Sequence, residues 1–121
     1  MEQQKEIIIK NREFRIKKEV SKQSKLFAFL DKDMKAQIDD LIKSYAFLVV
    51  MAEDMKEEMK ECDSYLTLTV NASQKFLKVN PLAKELRETI KSLQFVKKQI
   101  YDMTKSYAQP DELDELEKFI K

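Results

Sequence analysis

Arg15, Lys18, Lys22 and Lys25 follow one another at spacings of three, four and three, which at 100° per residue puts them within about 80° of arc on one helix face. A row of cations on a helix can meet a row of phosphates, so these four are candidate DNA-binding residues. Glu13 and Glu19 lie off the row. Like charges at these spacings cost a few tenths of a kcal/mol per pair, a penalty that an anionic partner would remove. A solvated face in a lysine-rich chain explains the same row without a ligand. Further along, Lys84, Arg87, Lys91, Lys98 and Lys105 share a face, and Asp39, Asp40, Asp54, Glu57, Glu58 and Glu61 form an acidic one. Salt bridges within or between subunits account for both.

Other chemistry has little to work with. Among 121 residues there is no His and a single Cys, Cys62, so His bases, His ligands, Cys-rich zinc sites and an intrachain disulfide are all excluded. Carboxylate pairs such as Asp39-Asp40 and Glu57-Glu58 project to solvent, with nothing to raise a pKa. No catalytic residue, metal site or cofactor is expected, and the chain reads as no enzyme.

The elements that position these residues follow from composition and periodicity. The chain has no Gly, the residue on which tight turns most depend, and this favours helices with few connections. Met34, Ile38, Leu41, Tyr45, Leu48, Ala52, Met55, Met59 and Cys62 alternate spacings of four and three, a four-heptad seam. Asp33 is the expected N-cap, with Asp31 adding charge beside it. Asn80-Pro81 announces a second long helix, carried by Leu82, Leu86, Thr89, Leu93, Val96, Ile100, Met103 and Tyr107 up to the Pro110 break. Between them Tyr65 to Val70 alternates in period two, Asn71-Ala72-Ser73 reads as a turn, and residues 75–78 follow as a small β-hairpin or extended flap. A first amphipathic helix spans about Arg12 to Leu30, with Ile16, Val20, Phe27 and Leu30 on its apolar stripe. Leu113, Leu116 and Ile120 mark a short acidic helix at the end.

The expected fold is therefore all-α: a long antiparallel helical hairpin with an N-terminal amphipathic helix, the flap between the long helices and a short C-terminal acidic helix. The organisation is a basic segment 1–30, a hairpin and oligomerisation core 31–108 with the flap at 64–79, and an acidic tail 109–121. Charge by segment supports the division: residues 1–30 carry +4, 31–63 carry −5, 64–80 carry +2, 81–108 carry +3 and 109–121 carry −3. The tail is expected to be dispensable for folding and to dock a partner, because so short a segment cannot hold a helix alone.

Tyr45 to Ala52 is apolar all round, and one neighbouring helix covers only one stripe. Tyr45, Phe47, Leu48, Val49, Val50 and Met51 are therefore the expected oligomerisation residues. This run of eight is far short of a membrane span, and the Lys/Glu-rich start has no signal-peptide pattern. No membrane partner and a cytoplasmic location are expected.

The order of these motifs, with Ser44-Tyr45-Ala46 at the centre of the acidic helix and Asn-Pro-Leu-Ala-Lys-Glu-Leu-Arg-Glu-Thr-Ile-Lys-Ser-Leu at residues 80–93, resembles the small terminase subunits of tailed bacteriophages. The similarity covers roughly residues 12–108. The chain departs from the family at Ser106-Tyr107-Ala108-Gln109-Pro110, where members often carry Gly-Leu-Thr-Pro followed by Arg. The resemblance implies a non-enzymatic DNA-packaging component that assembles as a homo-oligomer, with a ring as one form, engages DNA and recruits the large terminase subunit. A coiled-coil adaptor, or a small regulator that binds a protein partner without nucleic acid, is the alternative.

Overall fold

A computed structural model gives the fold. It describes residues 2–60, 66–71, 74–79 and 81–121, the two strands by their backbone alone. The seam position of Cys62, the Asn80 cap, Tyr65 and the Ala72-Ser73 part of the turn lie outside the described residues.

Four helices carry the fold, and its class is all-α: α1 spans Glu2–Leu26, α2 Lys32–Lys60, α3 Pro81–Thr104 and α4 Pro110–Ile120. Between α2 and α3 the backbone of β1, Leu66–Asn71, pairs antiparallel with β2, Gln74–Val79, in a register that sets Leu66 opposite Val79 and Asn71 opposite Gln74. A 3-10 turn over Lys105–Tyr107 separates α3 from α4.

Local chemistry explains most boundaries. Asp31, not Asp33, caps α2: its Oδ1 accepts the Met34 N–H at 2.8 Å. Met34 is the third residue of the helix, the one whose N–H a capping side chain reaches, and Asp33 falls in the first turn, where its charge favours the positive helix end. α1 begins ten residues before the expected Arg12, because Glu, Gln and Lys favour helix even without a buried face. Its end is tied off by the Phe27 N–H donating to the Gln23 carbonyl at 3.1 Å and the Leu30 N–H to the Phe27 carbonyl at 3.2 Å. α3 does not run to Pro110 as expected: it ends at Thr104, tightens into the 3-10 turn and leaves through extended Ala108, and Pro110 opens α4, where its missing N–H costs nothing.

The buried residues gather where the turn after α1, the first half of α2, the end of α3 and α4 meet. Phe27, Leu30, Ile38, Ile42, Tyr45, Ile100 and Leu116 form this cluster. The Phe119 ring sits edge-on to Phe27 at 5.6 Å and 5.3 Å from Tyr45, geometries that add to plain burial. Thr104, fully buried, satisfies its hydroxyl by donating to the Ile100 carbonyl at 2.8 Å.

Two stripes of α2 are covered, not one. Ile38, Tyr45 and Ala52 of the expected seam are buried, and so are Ile42, Ala46 and Val50 beside it, because α1 and α3 both pack along α2. The acidic tail is likewise no appendage: Leu116 of α4 is 0 % exposed, which argues against residues 109–121 being dispensable for folding. An isolated helix of this length is marginal, but docking supplies the apolar contacts that propensity does not.

Candidate nucleic-acid interface

The structure divides the expected ridge on α1. Lys18, Lys22 and Lys25 are exposed, and among the described residues no carboxylate lies within ion-pair distance of any of them. Arg15, at the edge of the row, turns into α2 instead. Its guanidinium donates to Asp54 Oδ1 at 2.6 Å and to Glu53 Oε2 at 2.8 Å, and Arg12 Nε donates to Asp54 Oδ2 at 2.8 Å. Three lysines therefore remain as a free face, and the fourth cation serves to pin α1 on α2.

Pairing the middle of α1 with the far half of α2, while Phe27 at its end meets Ile38 and Ile42 near the start of α2, makes the two helices antiparallel. Over the first half of α1 this ionic contact stands in for a core. Ile7, Ile8, Ile9 and Phe14 are all at least half exposed, so little apolar burial holds the helix there. Arg12 was not singled out from the sequence. The available signal was its type: only three Arg occur beside 20 Lys, and a planar guanidinium fork suits a shared carboxylate better than an ammonium does.

Charge states follow from this geometry. Burial pushes the Asp54 carboxyl up, but hydrogen bonds from Arg15 and then Arg12 outweigh it and hold the group below the usual carboxylate range. Donating to Asp54, and then to Glu53, raises the Arg15 pKa in turn. A carboxyl lowered in the folded state stabilises the fold above its unfolded pKa, and this contribution is lost as pH falls through the lowered value. Asp54→Asn is therefore expected to cost about 1 kcal/mol at neutral pH, since solvent screens these partly exposed pairs. It should also flatten the acid arm of the stability curve. Urea midpoints measured from neutral to acid pH check this, and parallel curves for the two proteins would count against it.

The apolar run of α2 is largely covered within one chain. Tyr45 and Val50 are buried, Leu48, Val49 and Met51 are half-buried, and only Phe47 of the six stays open, at 51 %. α1 and α3 flank this run, and Phe119 of α4 reaches Tyr45. Burial, helped by the Glu19 charge, pushes the Tyr45 hydroxyl above the ordinary phenol value. A two-helix picture left these side chains bare and required a second copy; the four helices remove most of that need. Tyr107 too leaves the expected seam, half exposed in the 3-10 turn.

The described residues hold no group of three or more Asp, Glu or Cys placed to bind a metal ion, and no described helix is long and apolar enough to cross a membrane. No family model, curated protein or solved structure matches the chain.

Proposed function

We propose that this protein is a non-catalytic, DNA-binding assembly component of the kind that the small terminase subunits represent, with the outer face of α1 as its phosphate-binding surface. The observation that supports it is the exposed, unpaired row of Lys18, Lys22 and Lys25 on α1, beside the Arg15 contact with α2. In this reading α2 and α3 run as an antiparallel arm with the strands at its tip. The 3.6 Å contact of Thr89 Oγ1, early in α3, with Met55 Sδ, late in α2, agrees with that course. Self-association would use the exposed Phe47 with its half-buried neighbours Leu48 and Met51. With α4 in the core, a large terminase subunit would meet the outer, acidic side of α4 in place of a free tail, and the bacterial cytoplasm is where packaging would occur.

Fluorescence anisotropy with a DNA duplex across a salt series tests the central claim. Binding by the wild type that is lost in Lys18→Gln/Lys22→Gln/Lys25→Gln supports it, and absence of binding at low salt overturns it. The adaptor reading draws support from Arg15, whose engagement by Asp54 and Glu53 takes a cation out of the ridge. Light scattering bears on assembly: Phe47→Ser is expected to shift a micromolar oligomer toward monomer. A wild type that scatters as a 14.4 kDa monomer would remove the oligomer from the proposal.

A further inference from the structure

Away from the α1 ridge, the second half of α3 and the last turn of α4 enclose a cleft of about 360 Å3, lined by Gln94, Lys97, Lys98, Tyr101, Asp102 and Lys121 among others. Its charge is lopsided. Three ammonium groups line it, and among the described residues none of the three pairs with a carboxylate. The one side-chain carboxylate of the lining, Asp102, lies 3.5 Å from the Nζ of Lys105, so part of its charge is already answered.

Lys97 occupies an unusual position for a cation without a partner. Its Nζ stands 5.4 Å from the centroid of the Phe119 ring, and the side chain is half-buried. The ring face attracts the charge but accepts no strong hydrogen bond. Burial lowers the Lys97 pKa, the direction expected of an ammonium that has lost water without gaining an anion. Lys98 follows it directly in sequence and Lys121 closes the cleft from the end of α4, so a negative group held there would meet all three.

We propose that this cleft binds a small phosphate-bearing anion, with Lys97, Lys98 and Lys121 supplying charge and Gln94 and Tyr101 supplying neutral hydrogen-bond donors. A phosphate group suits the set because its several acceptor oxygens can meet ammonium groups that approach from different directions. The volume is that of a small-molecule pocket, enough for a free phosphate ion or a phosphate monoester. The site is separate from the α1 ridge and does not rest on DNA binding.

Inorganic phosphate, titrated into the full chain at constant ionic strength against sodium chloride and followed by amide NMR, tests this. Saturable shifts confined to residues 94–102 and 118–121 are expected. The double variant Lys98→Gln/Lys121→Gln removes two exposed side chains, so helix content should hold while affinity drops about tenfold or more. A parallel titration with phenyl phosphate separates the sources: tighter binding of the monoester points to an organic phosphate, and tighter binding of the inorganic ion to free phosphate. Shifts that track chloride equally, or an affinity unchanged in the double variant, overturn the proposal.

Discussion

Leu116→Ala is expected to destabilise the protein by about 2–5 kcal/mol, the range for emptying a fully buried leucine site. Leu116 is 0 % exposed and belongs to the cluster with Phe27, Tyr45 and Ile100. Its removal leaves a cavity whose walls come from the turn after α1, α2 and α3, elements that cannot all move inward together. For a domain whose whole stability is about 5–15 kcal/mol, that loss is a large share. Ending the chain at Ala108 should do more, since it also strips Phe119 from the Phe27 and Tyr45 rings. Urea denaturation followed by circular dichroism measures both, with the midpoint falling in Leu116→Ala and cooperativity lost on truncation. A truncated chain with an unchanged midpoint would show that α4 merely rests on the core.

That result would separate what the sequence makes visible from what it hides. The α2 seam could be read because a four-three alternation held over four heptads leaves little choice of period, and Ile38, Tyr45 and Ala52 are indeed buried. Pro110 was legible as the start of a new element, though α3 ends at Thr104, before it. The burial of α2's second stripe, Ile42, Ala46 and Val50, was not, because an all-apolar run reports burial without saying whether the same chain or another copy supplies it. In α4, Leu113, Leu116 and Ile120 marked an amphipathic face, yet Phe119, which joins Phe27 to Tyr45, was passed over beside them. No local pattern says where a short helix will dock.

The candidate site was legible in the same partial way. Helical spacing grouped Arg15 with Lys18, Lys22 and Lys25, and angle along one helix is all that spacing can give. Which of the four finds a carboxylate depends on what lies across the helix interface. Asp54 and Glu53, some forty residues away, claim Arg15, and only the docking of α1 against α2 shows it.

The division of the ridge sets the salt dependence of DNA binding. Three phosphate contacts per subunit give a log-log salt slope near −2.7, at about −0.9 per phosphate, where four would give about −3.6. Between 50 and 200 mM salt, affinity should fall about 40-fold for one subunit, and several subunits on one duplex would steepen this where their geometry lets them bind together. Changing Lys18, Lys22 and Lys25 to Gln should abolish most of the salt dependence and leave helix content intact, because all three are exposed and make no ion pair among the described residues. Asp54→Asn works in the opposite sense. It loosens Arg15 from α2, returns a fourth cation to the ridge and should move the slope toward −3.6. A steep slope already in the wild type would mean that phosphate outcompetes Asp54 for Arg15, whereas a slope insensitive to the three lysines would place the contact elsewhere and end the case for α1 as the interface.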